Sequence, residues 1–360
     1  MGNPTLEINV SLIRKSASAV RNLCLSAGIN PTAVTKGYNA LEAVTEALYD
    51  AGYRSFASSR LPHLKRVKDR LSAETMALRI PMPSEVGEVV EYADVSLNSE
   101  LSTIRLLDRE AMRRGKHHKV ILMRDLGDLR EGLFDEERFV ETACAVEREC
   151  GNVVLRGVGT NLSCYGSVVP TAENLSTLVR DAREIERQIG RPLDVVSGGA
   201  STSLYLVVNG EMPEGINNLR IGGANILRSE AREVSDDVLP ELTNEALILK
   251  AEIIELGEKP THPIGRLGMD AFMNVKKYAD KGVRRRALLA AGAFDVGDYE
   301  KLTPIDSGVT LLGCSSDHMI ADIEDSEREY RLGDTISMIV SYQAMLFATE
   351  NDLVEKKILY

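Results

Sequence analysis

The stretch PTAVTKGYNALEAVTEALYDAG, residues 31–52, joins a short apolar run, a lysine and a segment whose apolar residues have helical spacing. A β-rich run followed by an amphipathic helix is the unit from which parallel sheets are built. Lys36 stands at the end of the apolar run, directly before a glycine. The stretch therefore predicts a βα repeat with an amine at the carboxyl end of its strand.

The same alternation continues to about residue 227 and provides eight candidate strands. They are PTAVTK (31–36), YRSFAS (53–58), TMALRI (75–80), ADVSLN (93–98), KVILMRD (119–125), LRGVGTN (155–161), LDVVSG (193–198) and NNLRIGG (217–223). Helical spacing is clearest at residues 40–52, 99–115, 135–150 and 171–190. Eight strands with helices between them predict a closed (β/α)8 TIM-type barrel, and an open doubly wound sheet is the alternative.

The pattern changes after about residue 240. ALILKAEIIELGE (246–258), RRRALLAAGAFDV (284–296), GVTLLGCSSDHMIADIED (308–325) and DTISMIVSYQAML (334–346) alternate apolar and polar residues and lack long helical periodicity. We therefore predict two domains, a β/α barrel over residues 1–235 and a C-terminal mainly-β domain over residues 236–360.

Composition restricts the class of partner. The chain has 360 residues and a formal net charge of -11, which disfavours nucleic acid and anionic membranes. Five cysteines without a CxxC pair favour neither a disulfide framework nor a zinc site. With no secretory signal pattern and no apolar run of membrane-spanning length, we expect a cytoplasmic protein whose partner is a small molecule or another protein.

Glycines and residues with hydroxyl groups follow the last two predicted strands. Ser201 and Thr202 come after a glycine pair, and Gly222 with Gly223 ends the eighth strand. Bare backbone N–H groups let an anion approach, and the last two strands of such barrels often bind a phosphate. These residues predict a phosphate cup, although a glycine pair alone is also typical of a tight turn.

Two arginines and one lysine lie at positions where a charge needs an explanation. Arg220 falls inside the apolar run NNLRIGG, where a charge must be paired or contact a ligand. Arg130, in RDLGDLREG, follows the fifth strand. The alternatives are a surface salt-bridge cluster around Arg130 and a solvated Lys36 at a strand end.

From TLEINVSLIRKSASAV through AVTKGYNA to SYQAM the chain resembles the alanine racemase family, the fold type III enzymes that use pyridoxal 5'-phosphate (PLP). The resemblance implies that Lys36 holds the cofactor as a Schiff base. It implies that Arg220, in LRIGG, hydrogen-bonds the pyridine nitrogen. It assigns the cofactor phosphate to Ser201 and to the amides of Gly222 and Gly223.

Further positions follow from the same resemblance. Arg130, in DLGDLREG, matches the arginine near the cofactor phenolate and the substrate carboxylate, so it is a predicted substrate-binding residue. Asn161, in GVGTN, stands where the family has a histidine beside the cofactor. Tyr342 matches a tyrosine of the C-terminal domain that helps to bind the phosphate. An arginine at the pyridine nitrogen keeps the ring neutral, which suits racemisation.

The chain departs from the family at one important place. Racemisation removes a proton from one face of Cα and delivers one to the other, so Lys36 needs an opposing acid/base group. Ala293 stands where the family has a tyrosine contributed by the partner subunit. GCSSDHM (313–319) resembles a second loop that enters from the partner, and it offers Cys314 and His318 as catalytic groups and Asp317 as a contact for a cationic side chain.

These loops imply a homodimer with shared active sites. RDLGDLREG, GVGTNLSCYG, SGGAS and GCSSDHM are most similar to ornithine racemase-like members of the family. We therefore predict a racemase that interconverts the L and D forms of ornithine or another basic amino acid. A PLP-dependent lyase or aldolase, a non-catalytic PLP-binding protein and a barrel for another phosphorylated ligand are the alternatives. No metal is predicted, because His318 has no second histidine nearby.

Overall fold

A computed structural model describes residues 4–270, 272–273, 275 and 277–360. The chain forms two compact units, one of Ser11–Thr243 and the other of residues 4–10 with Asn244–Tyr360. The predicted domains, residues 1–235 and 236–360, differ from these two units mainly because the prediction placed the N-terminal strand with the barrel. In the structure that strand pairs with strands of the C-terminal unit.

The first half of the chain alternates strands and helices. The strands are β1 (Thr5–Asn9), β2 (Asn30–Val34), β3 (Ser55–Ser58), β4 (Glu74–Ala77), β5 (Val95–Asn98), β6 (His118–Met123), β7 (Val153–Gly159), β8 (Val195–Ala200) and β9 (Asn218–Ile221). The helices are α1 (Val10–Ser26), α2 (Glu42–Asp50), α3 (Leu61–Arg70), α4 (Val86–Tyr92), α5 (Leu101–Arg113), α6 (Glu136–Glu149), α7 (Ala172–Ile189) and α8 (Leu204–Val208). Strands β2 to β9 pair in chain order, all parallel, and β9 pairs with β2. The predicted closed barrel is confirmed, and the open sheet is excluded.

Alternation along each strand separates two apolar layers of the barrel. Successive side chains of a strand point to opposite faces. In β5, Val95 and Leu97 belong to the cluster inside the barrel. In β9, Leu219 and Ile221 pack instead in an outer cluster with Val20 of α1. The residues that alternate with these two, including Arg220, are therefore turned toward the barrel interior.

The C-terminal unit is mainly β, as predicted, and most of its strand pairs are antiparallel. Its further strands are β10 (Leu247–Pro260), β11 (Val283–Leu289), β12 (Leu302–Pro304), β13 (Thr310–Cys314), β14 (Met319–Asp322), β15 (Thr335–Val340) and β16 (Glu355–Leu359), and its helices are α9 (Ala293–Val296) and α10 (Tyr342–Glu350). The sheet order is β12-β15-β10-β11-β14-β13. Strand β1 pairs antiparallel with β10 and parallel with β16.

One detail of the prediction for this unit is wrong. The run of residues 334–346 was expected to alternate throughout, but the strand ends at Val340 and α10 follows. Ala344, Met345 and Ala348 are buried, which is the spacing of a helix face. Within the described residues, no helix is both long and apolar enough to cross a membrane.

Candidate active site

Lys36 lies at the carboxyl end of the first barrel strand. β2 ends at Val34, and Lys36 begins a 3-10 turn that extends to Tyr38. The side chain is half-buried. Burial lowers the pKa of the Lys36 amine; Cys164 acts to raise that pKa and Arg130 to lower it. The amine therefore releases its proton more readily than an exposed lysine does.

Arg220 is buried inside the barrel, opposite Thr32 of β2. Its Nη1 donates to the hydroxyl of Ser197 at 2.5 Å, and its Nη2 donates to the carbonyl oxygen of Thr160 at 2.6 Å. Both acceptors are neutral, and burial lowers the pKa of the guanidinium to about 10. A buried cation with neutral partners gains from a further acceptor.

A hydrogen-bonded chain fixes the guanidinium in place. The Ser197 hydroxyl accepts from Arg220 and donates in turn to Asn218 Oδ1 at 2.6 Å. Asn218 Nδ2 donates to the carbonyl oxygen of Asn30 at 2.7 Å and to Thr32 Oγ1 at 3.1 Å. Strands β8, β9 and β2 are thus linked by side chains beneath the strand ends, so the position of Arg220 is determined by the barrel itself.

The residues predicted to bind a phosphate lie where β8 and β9 end. Ser201 begins a 3-10 turn after β8, and its hydroxyl accepts from the backbone N–H of Gly222 at 3.2 Å. A side chain at Gly223 would lie 2.5 Å from Cγ of Glu230, so only glycine fits there. Gly222 approaches Val34, which stands two residues before Lys36. The cup and the lysine therefore occupy the same end of the barrel.

Three polar atoms in the loops after β7 and β8 are buried and have no hydrogen-bond partner in the part of the chain that the structure describes. They are Thr160 Oγ1, Asn161 Nδ2 and Thr202 Oγ1. Leaving such an atom unsatisfied costs on the order of 1–3 kcal/mol. Unsatisfied polar atoms at the mouth of a barrel indicate that a polar ligand completes the site.

Asp128 joins two long loops at this end of the barrel, residues 124–135 and 160–171. Its buried carboxylate accepts backbone N–H groups from Cys164 at 3.2 Å, Tyr165 at 3.0 Å and Val168 at 3.3 Å. Burial acts to raise the pKa of Asp128, but these donors outweigh it and lower the pKa. The hydrogen bonds hold the loop of Cys164 against the loop of Arg130.

Arg130 forms an ion pair with its neighbour Glu131, with Nη2 and Oε1 2.7 Å apart. The expected alternative, a salt-bridge cluster, does not extend to the aspartates. Asp125 accepts the backbone N–H groups of Gly127 and Leu129, at 2.9 and 3.1 Å. The two aspartates thus shape the loop. The Arg130 side chain stays 41% exposed.

Backbone strain is concentrated at this end of the barrel. Of the seven non-glycine residues with positive φ in the described chain, five flank the residues above: Asn39, Ala40, Leu129, Ser163 and Ser167. Such conformations cost on the order of 1–3 kcal/mol each and cluster at functional sites. The distribution supports an active site at the carboxyl ends of the strands.

The sequence analysis missed Cys164. Its thiol is exposed, and it acts electrostatically on Lys36, Arg130 and Arg220. The signal that was available is its position in GVGTNLSCYG, three residues after Asn161. Proximity to three cations could not be read from that string.

The remaining predicted residues lie in the C-terminal unit. Cys314 ends β13, and it lines a cavity of about 990 Å³ together with Ala293 and Tyr299. Asp317 and His318 are exposed in the turn between β13 and β14 and do not line this cavity. 

Tyr342 is the first residue of α10 and is half-buried. Among the residues with described positions, no group of three His, Cys, Asp or Glu side chains is arranged to hold a metal ion. The structure thus gathers Lys36, Arg130, Asn161, Ser201, Arg220, Gly222 and Gly223 in the barrel unit and places the other four predicted residues in the sheet unit.

Comparison with known proteins gives the relatives of this chain. The family described as Alanine racemase, N-terminal domain matches residues 8–226. An ornithine racemase of Acetoanaerobium sticklandii is 42% identical over 356 residues, covering 99% of each chain. A lysine racemase of Thermotoga maritima is 35% identical over 355 residues, covering 98% of each.

The structure has the same fold as an alanine racemase of Clostridium difficile 630. The TM-score is 0.77 at 15% identity, covering 100% of this chain and 96% of the other. The family match covers more than half of the chain, and the sequence resemblance is confirmed. The chain belongs to the alanine racemase family defined by its N-terminal domain.

Proposed function

We propose that the protein is a PLP-dependent racemase that interconverts the L and D forms of a basic amino acid, with ornithine as the first candidate. The observation that carries the proposal is the match along 99% of the chain to a protein named ornithine racemase, at 42% identity. The second curated relative is named for lysine, which is also a basic amino acid. A substrate with a cationic side chain is consistent with both.

The residues at the barrel mouth fit pyridoxal 5'-phosphate. A polar ring with a phosphate offers acceptors to the buried Arg220 and to Asn161 Nδ2, which has no partner in the described chain. Lys36 would hold the cofactor through Nζ, and Arg220 would face its ring nitrogen. When bound, the cofactor withdraws electrons from the substrate Cα and so acidifies the Cα proton.

The phosphate would be held at the ends of β8 and β9. Ser201 and the amides of Gly222 and Gly223 supply neutral donors there, and the hydroxyl of Ser201 is already anchored by Gly222. Tyr342 is the proposed further contact from the C-terminal unit. Neutral donors suit a dianion, because backbone N–H groups can surround it without a long side chain.

Lys36 and Arg130 have separate tasks in the proposed reaction. The pKa of Lys36 is lowered by burial, which favours the neutral amine, and the neutral Nζ can take a proton from Cα and return one. Arg130 would bind the substrate carboxylate through charge-assisted hydrogen bonds, in competition with its present partner Glu131. Binding of the carboxylate would place Cα within reach of the lysine.

Cys314 and His318 are the acid/base groups proposed from the C-terminal unit, and Asp317 is the proposed contact for the substrate side chain. In this proposal they reach the site from a second copy of the chain, so the enzyme is a homodimer with shared active sites. The proposed location is the cytoplasm, where thiols stay reduced.

Solvent-deuterium incorporation at Cα tests the function. Ornithine, lysine, alanine and serine are incubated with the PLP-loaded protein in D2O, and both incorporation and inversion are measured. We expect incorporation with inversion for a basic amino acid. Lys36→Ala should lose the visible absorbance of bound cofactor, whereas a change at the exposed Lys116, Lys116→Ala, should keep it.

Bound cofactor without exchange for any of the four amino acids would contradict a racemase. It would favour a non-catalytic PLP-binding protein of the same fold. Release of a fragment from Cα instead of inversion would favour a lyase or aldolase.

A further inference from the structure

Glu131 differs from the other carboxylates of the loop that follows β6. The side chains of Asp125, Asp128 and Asp135 accept backbone N–H groups, so they hold the chain in shape. The carboxylate of Glu131 instead accepts from the side chain of Arg130, and in the described part of the chain it has no other hydrogen-bond partner. It can therefore change its partner without unfolding the loop.

The two members of this ion pair differ in their exposure to water. The side chain of Arg130 is 41% exposed, whereas that of Glu131 is 17% exposed. Burial lowers the pKa of Lys36 and the pKa of Arg220, and Glu131 acts to raise both. The carboxylate is thus mostly covered, and its charge acts on the cations of the proposed active site.

Hydrogen bonds connect the loop of Glu131 to the barrel interior. The buried Arg220 donates to the carbonyl oxygen of Thr160 at 2.6 Å, and Thr160 begins the loop after β7. In that loop the backbone N–H of Cys164 donates to the carboxylate of Asp128 at 3.2 Å. Asp128 stands three residues before Glu131. The ion pair therefore belongs to the same end of the barrel as the residues proposed to hold the cofactor.

The proposed reaction takes the cation away from Glu131. When the substrate carboxylate binds Arg130, an amino acid with a neutral side chain leaves a mostly buried carboxylate unpaired, which is costly. A basic amino acid brings a cation of its own. Its terminal ammonium group can replace the guanidinium in a charge-assisted hydrogen bond. The carboxylate thus acts against neutral amino acids and in favour of basic ones.

We propose that Glu131 determines the preference for a basic amino acid by binding the ammonium group at the end of the substrate side chain. This inference rests on the proposed racemase function. It places the contact in the barrel unit, on the chain that also provides Arg130, ahead of the exposed Asp317 of a second copy. The flexible chain of ornithine can fold so that its carboxylate and its terminal ammonium group contact neighbouring residues.

The test compares ornithine with norleucine, which has the same side-chain length but ends in a methyl group. Titration of the cofactor absorbance of the PLP-loaded protein measures the affinity for each amino acid, and deuterium incorporation at Cα measures kcat/KM. We expect the wild type to prefer ornithine. Glu131→Gln should lower the ratio of the two affinities by about 10- to 100-fold, because a charged hydrogen-bond partner is lost. Glu136→Gln, which removes an exposed partner of Arg180, should match the wild type.

A parallel Asp317→Asn protein separates the two carboxylates. The inference is overturned if Glu131→Gln keeps the ratio within about threefold of wild type, or if the ratio falls in Asp317→Asn instead. Equal losses for ornithine and norleucine also overturn it, because Glu131 would then only orient Arg130. A wild type that binds norleucine as tightly as ornithine overturns it without any variant. A wild type that racemises neither ornithine nor lysine contradicts the proposed function itself.

Discussion

Arg220 carries its charge in the barrel interior, among neutral partners. Removing a cation from water is costly, and hydrogen bonds to Ser197 and Thr160 offset only part of that cost. The neighbouring Asn218 keeps its other hydrogen bonds whether or not the guanidinium is present. Arg220 should therefore matter more for holding a ligand than for folding.

Replacing Arg220 tests this difference. Arg220→Met should weaken PLP binding by roughly 10- to 100-fold, because a hydrogen bond from a charged donor is lost. The melting temperature should change by a few degrees at most. Absorbance titration with PLP measures the affinity, and Arg105→Met, which removes a surface partner of Glu149, is the control. Unchanged PLP affinity would contradict the role of Arg220.

His118 makes the stability of the barrel depend on pH. It is buried, its Nε2 lies 2.8 Å from Ser96 Oγ, and burial lowers its pKa from 6.5 to about 4. The unfolded chain takes up a proton near pH 6.5, whereas the folded protein does so only near pH 4. The contribution is therefore fully present above pH 6.5 and is lost as the pH falls to about 4.

Urea denaturation at pH 7 and pH 4.5 tests this dependence. His118→Gln should lose about 2–3 kcal/mol less stability between the two pH values than the wild type does. His117→Gln, at the exposed neighbouring residue, should behave as wild type. Equal losses for His118→Gln and wild type would show that His118 does not titrate as described.

The location of a candidate site residue was predictable where a residue type was unusual for its position in the sequence. Lys36 stands at the end of an apolar run and Arg220 stands inside one, and a charge is unusual at both places. Cys164 was not predictable, because its setting depends on Asp128, which stands 36 residues earlier and binds its backbone N–H. Asp128 itself resembles an ordinary surface carboxylate in the sequence, and its burial comes from loop contacts that no local pattern encodes.

Elements were predictable because the apolar period changes between strands and helices. The residues at which strands and helices begin and end were less predictable. The glycine pair after Ser197 was expected to end the seventh predicted strand, yet the corresponding β8 runs from Val195 to Ala200. Gly198 lies within the strand, and glycine is needed there because a side chain would lie 2.7 Å from Ile216. The glycine serves close packing within the strand, so it does not mark a turn.

The hydrogen bonds that the Asp128 carboxylate accepts should control the loop of residues 160–171. Asp128→Ala should expose the amides of Cys164, Tyr165 and Val168, and their hydrogen exchange should be about 10- to 100-fold faster. Inversion should also fall, because Arg130 loses its fixed position. Asp135→Ala, which removes only the cap of α6, is the control. Unchanged exchange at the three amides would contradict the anchoring role.

At the scale of the whole molecule, the barrel and the mainly-β C-terminal domain were predicted and are confirmed. The membership of β1 was not visible in the sequence, because TLEIN directly precedes the helical pattern of α1. Its partners are separated from it by the entire barrel. Ile8 lies opposite Leu247 of β10 and Ile358 of β16 and is fully buried. The strand is thus interior to the sheet unit.

Truncation of Ile8 should therefore be costly. Ile8→Ala should lower the free energy of unfolding by about 2–5 kcal/mol, as expected for a large side chain deleted from a core. Calorimetry or urea denaturation measures the loss. Ile254→Ala, at a residue of β10 that is 42% exposed, should cost much less. Similar losses for Ile8→Ala and Ile254→Ala would contradict the interior position of β1.

The pairing of β1 has a consequence for protein synthesis. β1 leaves the ribosome early, but β10 begins at Leu247 and β16 at Glu355, after all eight barrel strands. The barrel can close during translation before β16 emerges, whereas the sheet cannot be completed until it does. Throughout that interval the nascent chain carries TLEIN with two unpaired edges, which are open to pairing with other chains. Pairing of an exposed β1 with another chain is therefore a route to misassembly.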